Sequence, residues 1–394
     1  MVTSKLLNAP RSRAAAESLE PVPVATPPAQ RLLSLDVFRG ITIAGMLLVN
    51  NPGNWGHIYW PLEHAEWNGW TPRDLIFPFF LFIVGISLTL SFSRRMEQGA
   101  TPPDLLRKVG SRAAIIFALG LVLNGFPHYD LSTIRIMGVL QRIALVYLAT
   151  GILYLTTRER AQRWIVVGLL VGYWAMMTLV PVPGFGAGIL ERQGNLAQYV
   201  DRVVLGAHRW KADWDPEGIL STFPAVATCL LGVMTGRGLR ADRPVTEKAL
   251  GMYVCGVLAM LGGVVWSIWF PINKNLWSST YVLFTAGFAL VLLATIYYLI
   301  DIRGRDRWAW PWYVFGTNSI LAFVASGLFA RILLVSKVAQ PDGSTVSLYE
   351  WIYEHGFASW AGPMNGSLGF AVAYVALFLG VMAVLYEKKW FVKI

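Results

Sequence analysis

Ten apolar segments, separated by short polar connections, set the pattern of this chain. Each is long enough to cross a hydrocarbon core of about 30 Å as a helix, once polar ends and tilt are allowed. They lie at residues 35–50, 74–93, 110–126, 136–156, 164–182, 218–236, 249–270, 277–300, 311–335 and 366–386. The pattern predicts an all-α polytopic membrane protein with about ten transmembrane helices, in one domain over residues 31–394.

The first 30 residues differ from the rest of the chain. They are rich in Ala, Pro, Ser and charged residues and contain no apolar centre of a signal peptide. Such a composition cannot bury a core. Residues 1–30 are therefore predicted to be a disordered cytoplasmic tail.

Composition and charge support the membrane interpretation. Of the 394 residues, 55% are hydrophobic and only 14% are charged, whereas the charged fraction of a soluble domain is about a quarter. The net charge of +10 comes from short basic clusters between apolar segments rather than from one basic face, so membrane lipid and not nucleic acid is the expected partner. Alternate connections and the tail hold 22 of the 33 basic residues, which predicts that both termini are cytoplasmic.

Several common kinds of site are not indicated. The two cysteines, Cys229 and Cys255, both lie in predicted spans, and they suggest no disulfide framework, metal site or catalytic thiol. The histidines other than His64 lack metal-ligand spacing, so no metal is expected. No phosphate-binding loop, dinucleotide fingerprint or hydrolase elbow is present in the sequence.

The stretch from Trp60 to Phe80 concentrates polar chemistry at the outer mouth of the second span. Thr71 is predicted to be the N-cap of that helix, with Pro72 at its first position and Asp74 as the capping-box partner. His64 lies in the loop that leads into this helix, where a neutral imidazole can accept a proton or be acylated. Asp74 has two possible roles: it can cap the helix, or its carboxylate can return to the imidazole and fix its tautomer.

Placing a charged side chain inside a membrane span costs free energy, so each such residue is a candidate for function. Asp36 and Arg39 are three residues apart and can pair with each other on one helix face. Arg135 and Arg142 are expected on nearly the same face of the fourth span, with Gln141 beside them. Together they suit an anionic ligand such as a phosphate, or they clamp carboxylates such as Asp36 or Asp74.

Three further groups of polar residues have both a functional and a structural interpretation. Asp215 is predicted to cap the next helix with Pro216 at its first position, which leaves Glu217 free to face the site. Amides at the outer side are predicted to contact the substrate or to satisfy a tight turn, and these are Asn68, Asn273 and Asn275. Asn318, in the ninth span, is expected to bridge two helices.

Six motifs now point to a known family. L-D-V-F-R-G, E-H-A-E-W-N-G-W-T-P-R-D-L-I-F-P-F-F, R-I-M-G-V-L-Q-R-I-A-L-V-Y, D-P-E-G, P-I-N-K-N-L-W-S-S-T-Y and G-T-N-S-I together resemble the heparan-α-glucosaminide N-acetyltransferase family. The resemblance extends over residues 31–394 and is nearest to the bacterial NagX-like branch, whose members were once described as sugar transporters. It implies acetyl-CoA as the cytosolic donor, an amino sugar as the acceptor, a bacterial inner membrane as the location and a homodimer.

The same resemblance implies His64 as the catalytic residue, with Asn50 and Asp74 at matching positions near it. The leading hypothesis is then a membrane-embedded acyltransferase in which His64 is the base or the acetyl carrier. The CoA head group carries several negative charges and is expected at Arg142 or Arg39, with Arg135 and Gln141 nearby.

Two other hypotheses stay open at this point. The alternative is a transporter of N-acetylglucosamine or a related sugar, which would be expected to show an internal repeat of spans. A structural or scaffolding membrane protein would explain the apolar segments but not the polar groups at their mouths.

Overall fold

The computed structural model describes residues 32–392, so the predicted tail at 1–30 lies outside the described residues. Most of the described chain is helical, and the rest is loops and one two-stranded antiparallel hairpin. The helices are α1 Leu33–Asn50, α2 Ile76–Glu97, α3 Pro102–Gly125, α4 Val139–Thr156, α5 Glu159–Leu179, α6 Leu196–Leu205, α7 Thr222–Arg240, α8 Val245–Trp266, α9 Ser279–Tyr297, α10 Trp310–Thr317, α11 Ser319–Val335, α12 Leu348–Tyr353 and α13 Ser359–Glu387, and the strands are β1 Lys337–Ala339 and β2 Thr345–Ser347.

Each of the ten predicted segments contains helix over most of its length. Within residues 32–392, six helical segments are long and apolar enough to cross a membrane, or seven if a bent pair counts as one span. The helices α3, α5 and α7 have 24, 21 and 19 residues but are not among these six segments. An α-helical membrane protein is therefore confirmed, whereas the number of ten spans stays a prediction.

The ninth predicted span is not one straight helix. Its two parts, Arg307–Thr317 and Ser319–Val335, are bent by 73°, because Asn318 leaves the helical conformation with φ −128° and ψ 42°. The Asn318 amide donates to the carbonyl of Trp390 and its oxygen accepts from the N–H of Val392, both at 2.9 Å. Asn318 thus binds the segment after α13 rather than bridging two transmembrane helices, and the expectation for it was wrong.

Two predicted helix starts were also wrong. The helix after Asp215 begins at Thr222 and not at Pro216, because the Asp215 side chain accepts from the Glu217 N–H at 3.0 Å and closes a turn instead. Similarly α4 begins at Val139, so Arg135 precedes the helix and does not share a face with Arg142.

The helices α2 and α7 pack closely against each other. A Cβ atom at Gly85 would lie 1.9 Å from the Cys229 carbonyl oxygen, so the two backbones can approach only because glycine has no side chain. Trp277, from the connection between α8 and α9, packs on Phe77 with ring centres 5.1 Å apart. Its indole N–H donates to Thr228 at 3.1 Å, which fixes this connection against the ends of both helices.

Candidate functional site

The loop before α2 carries the predicted site, and local capping chemistry shapes it. A single turn of 3₁₀-helix, Pro72–Leu75, precedes α2. One carboxylate oxygen of Asp74, Oδ2, accepts from the backbone N–H groups of Thr71 at 3.1 Å and Ala65 at 3.0 Å. The predicted capping role of Asp74 is therefore confirmed, and the same bonds draw the His64 loop back over the helix start.

The second carboxylate oxygen of Asp74 faces the imidazole. His64 Nδ1 lies 2.6 Å from Asp74 Oδ1, and because an ionised carboxylate only accepts hydrogen bonds, Nδ1 carries the proton. Asp74 is 1% exposed whereas the His64 side chain is 44% exposed. Nε2 of His64 is therefore the unprotonated ring nitrogen, and the imidazole as a whole is partly open to solvent.

Lys274 completes this cluster from a distant part of the chain. Its Nζ lies 3.0 Å from His64 Nδ1, 3.2 Å from His64 Nε2 and 3.6 Å from Asp74 Oδ1. Lys274 is absent from the predicted site residues, although it is the one charged residue in the P-I-N-K-N-L-W-S connection. That isolated charge in a connection predicted to lie outside was the signal that could have identified it.

Two hydrogen bonds between loops hold Lys274 close to His64 and Asp74. The Gly69 N–H donates to the Ile272 carbonyl at 2.7 Å, and the Asn273 amide donates to the Asn68 side chain at 3.1 Å. Gly69 adopts φ +95°, a conformation that favours glycine. We call this pair of contacts the loop latch.

The predicted substrate amides have unequal surroundings. Asn273 is fully buried and its side-chain oxygen also accepts from the Leu276 N–H at 2.9 Å, so the turn and Asn68 use its hydrogen bonds. Asn275 is next to Lys274 and partly exposed. The turn interpretation therefore describes Asn273, and a substrate role for Asn68 and Asn275 stays a prediction.

The electrostatics of the cluster favour a neutral histidine. Removal from water lowers the pKa of His64 from 6.5 to about 4, and the charges of Lys274 and Arg73 act in the same direction. The hydrogen bond to Asp74 raises the pKa of His64 but does not compensate. Burial also lowers the pKa of Lys274, against the opposing attraction of Asp74 and Glu217.

A second charged cluster lies before α4 and α7. Arg135 binds Asp215 with Nε to Oδ2 at 3.0 Å and Nη2 to Oδ1 at 2.5 Å, and its Nη2 also contacts Glu217 Oε2 at 2.5 Å. Burial would raise the pKa of Glu217, but Arg135 and Arg142 lower it. Arg135 is thus a carboxylate clamp, although its partners are Asp215 and Glu217 rather than the expected Asp36 or Asp74.

Arg142 and Gln141 lie deep in the bundle. Arg142 is fully buried, donates to the Gly218 carbonyl at 3.1 Å and to the Ser221 hydroxyl, and lies over the Trp277 ring at 4.9 Å. In the part of the chain that the structure describes, its Nε and Nη1 have no hydrogen-bond partner, and neither has Gln141 Nε2.

Two cavities flank these clusters. The larger, about 890 Å³, opens near the His64 end of the bundle and is lined by Asn50, Arg73, Arg135, Gln141 and Arg331, among others. Asn50 is exposed at the end of α1. Asn50 and Arg73, the chain neighbour of Asp74, thus line the same cavity, but the structure shows no hydrogen bond from Asn50 to His64 within the described range.

The smaller cavity lies at the other end of α2. It has about 310 Å³ and is lined by Arg39, Arg95 and Arg112 together with the hydroxyls of Ser87 and Ser91. Arg39 pairs with Asp36 at 2.8 Å, as the structural interpretation expected, and also donates to Ser87 at 2.7 Å. This cavity thus gathers positive charge at the end of the bundle remote from His64.

Comparison with known proteins gives a consistent result. A family model described as heparan-alpha-glucosaminide N-acetyltransferase, catalytic, matches residues 31–271. The human heparan-alpha-glucosaminide N-acetyltransferase is 31% identical over 362 residues, which cover 77% of this chain and 54% of the relative. The mouse enzyme of the same name is 30% identical over 353 residues, which cover 75% and 53%. The chain therefore spans about half the length of these curated relatives.

Proposed function

The chain belongs to the heparan-α-glucosaminide N-acetyltransferase family, and we propose that it is a membrane-embedded acyltransferase. It moves acetyl from cytosolic acetyl-CoA to the amine of a glucosamine-like sugar on the outer side. The observation that carries the proposal is the 2.6 Å contact between His64 and Asp74, which lies inside the segment that matches the family. The sequence predicted both residues as candidates for one site, and in the structure their side chains are in contact.

His64 acts as the base or the acetyl carrier in this proposal. As a base, Nε2 takes the proton from the acceptor amine while the amine nitrogen bonds to the thioester carbon and the carbon–sulfur bond breaks. The proton then passes from the imidazolium to the departing CoA thiolate. As a carrier, Nε2 itself attacks the thioester carbon, the carbon–sulfur bond breaks and CoA leaves as the thiolate. The amine nitrogen then bonds to the acetyl carbon while the bond from that carbon to Nε2 breaks, and the proton that the amine loses passes to the thiolate. In both cases Asp74 holds the productive tautomer, and Asn50 is proposed to assist as the family resemblance implies.

The donor is proposed to enter from the smaller cavity. Its arginines, Arg39, Arg95 and Arg112, suit the phosphates of the CoA head group because guanidinium binds phosphate in a fork geometry. Arg142 stays a donor candidate because two of its nitrogens have no partner among the described residues. Arg135 is already engaged by two carboxylates, so for it a structural role is better supported.

The proposed arrangement in the membrane follows the charge pattern. Ten spans with both termini in the cytoplasm place the smaller cavity on the cytoplasmic side and His64 on the outer side. The chain is proposed to lie in a bacterial inner membrane and to form a homodimer, as the family resemblance suggests. Sugar transport has less support, because the curated relatives that match are named as transferases.

The test is acetyl transfer by the purified protein. Labelled acetyl-CoA and a panel of amino sugars are supplied, and acetylated product is measured for the wild type and for His64→Ala. The exposed His128 provides a matched control as His128→Ala. We expect product with glucosamine, a loss of about 10²–10⁴-fold in His64→Ala because a general base is removed, and unchanged melting in both variants. Turnover at the wild-type rate in His64→Ala would contradict the proposed role of His64 as base or acetyl carrier.

A further inference from the structure

We propose that Lys274 is a positioning residue for acetyl transfer, which keeps His64 neutral and in the tautomer that bears its proton on Nδ1. The role in transfer rests on the proposed function, whereas the effect on the charge of His64 does not. The placement of the lysine amine against both the imidazole and the carboxylate carries the inference.

The hydrogen-bonding chemistry allows one arrangement. An ammonium group has three donors and no acceptor, so Lys274 can only face a lone pair of the imidazole. The Nδ1 proton is directed to Asp74 at 2.6 Å, which leaves Nε2 as the only ring nitrogen with a lone pair. The lysine Nζ lies against both ring nitrogens, 3.0 Å from Nδ1 and 3.2 Å from Nε2, and of the two only Nε2 can accept its hydrogen bond. Asp74 and Lys274 thus select the same tautomer from two sides.

The charges point in the same direction. A protonated imidazole would carry a second positive charge about 3 Å from the ammonium, and like charges this close disfavour ionisation. The charged groups that act on His64 are Asp74 on the favourable side, and Lys274 and Arg73 on the unfavourable side. Glu217, from the turn before α7, attracts Lys274 in turn.

Lys274 is held firmly in this position. The Trp277 N–H donates to the Lys274 carbonyl at 3.0 Å, and the indole of Trp277 is buried between α2 and α7. The loop latch fixes the other side of the turn. The Lys274 side chain is 15% exposed, so little of it is free to swing into solvent.

This arrangement has a consequence for the proposed reaction. As the acceptor amine approaches Nε2, the lysine amine has a second acceptor in Asp74 Oδ1, 3.6 Å away. The imidazolium that forms when Nε2 takes the amine proton is destabilised by the lysine charge. It is therefore a stronger acid than ordinary imidazolium, and it readily returns the proton to the departing thiolate.

The experiment follows the titration of His64 directly. The full-length protein is labelled at the histidine rings with ¹³C, and the ring signals are followed by NMR as the pH is changed. The chain has five histidines, and the spectrum of His64→Ala assigns the signal of interest. The variants are Lys274→Met, Lys274→Gln as a second neutral replacement, Lys274→Arg as the charge-conserving replacement, and the exposed Lys337→Met as the matched control.

We expect the titration midpoint of His64 to rise in Lys274→Met and Lys274→Gln by about one pH unit or more, from about 4 towards 6.5. It should stay low in Lys274→Arg and be unchanged in Lys337→Met. The acidic limb of kcat/KM should move to higher pH in parallel. A midpoint that is the same in the wild type and in whichever neutral variants fold would overturn the proposal. If the midpoint moves but the wild type transfers no acetyl, the charge effect stands and the proposed function fails.

Discussion

Asp74 uses its two carboxylate oxygens for different purposes. Oδ2 accepts backbone N–H groups at the start of α2, while Oδ1 faces His64. The first purpose needs only an acceptor atom, whereas the second needs a group that never donates. One substitution can therefore separate the two.

Asp74→Asn is that substitution. The amide oxygen can keep the backbone bonds at a cost of about 1 kcal/mol, but its NH₂ group then faces Nδ1 of His64 and forces the ring proton to Nε2. With the lone pair on the wrong nitrogen, acetyl transfer should fall by about 10⁴-fold, as for a misoriented catalytic histidine. Melting and turnover of the purified variant are the measurements. Near-normal values of both would show that Asp74 is only a cap.

At the scale of residues, the sequence predicted what is local. His64 and Asp74 are ten residues apart, and capping chemistry alone brings the carboxylate towards the loop. Lys274 is 210 residues from His64 and reaches it only through the loop latch. Local sequence spacing could not have predicted the contact between Lys274 and His64, because it depends on how two distant connections pack together in the fold.

At the scale of elements, α3 offers a test of the donor site. Arg112 lines the smaller cavity and lies over the Tyr147 ring at 5.3 Å. Arg107 is exposed on the same helix but does not line that cavity. The two arginines are therefore a matched pair within one element.

Arg112→Gln should raise the KM for acetyl-CoA by about tenfold, because a hydrogen bond to a charged group contributes about 1.5–3 kcal/mol. Arg107→Gln should leave this KM unchanged. Steady-state kinetics at saturating glucosamine provide the comparison, with the KM for glucosamine as an internal reference. Equal effects of the two substitutions would mean that the smaller cavity does not receive the head group.

Helix positions were largely predictable, and the errors have physical causes. Apolar length located the long helices because a span must satisfy its backbone internally. Asp215 and Pro216 are residue types typical of a helix start. The Glu217 N–H donates to the Asp215 side chain, however, and this hydrogen bond closes a turn, so the helix begins only at Thr222. The bend at Asn318 depends on a partner near residue 390, which hydropathy does not reveal.

At the scale of the whole molecule, the side of the membrane on which each connection lies can be measured. The native cysteines are replaced, Cys229 by Ala and Cys255 by Ser, and single cysteines are introduced at exposed positions. In intact cells an impermeant maleimide should label Glu66→Cys and Pro183→Cys, because the basic clusters predict that these connections are outside.

The matched inner positions are Gln98→Cys and Arg158→Cys, both exposed. They should react only after the membrane is permeabilised. The pair Arg158 and Pro183 brackets α5, which is not among the helices that satisfy the length and apolarity criteria for a span. Equal labelling of this pair in intact cells would show that α5 does not cross, and the total of ten spans would be reduced.

The loop latch also has a consequence for biosynthesis. Synthesis proceeds from the N-terminus at about 5–20 residues per second, so the 210 residues between His64 and Lys274 take on the order of ten to forty seconds to emerge. During that interval His64 and Asp74 can already pair, but the lysine that would suppress protonation of the ring has not been made. A nascent or prematurely terminated chain therefore carries a histidine of more ordinary basicity. The site is therefore complete only late in synthesis, when the connection after α8 packs against the His64 loop, which was made much earlier.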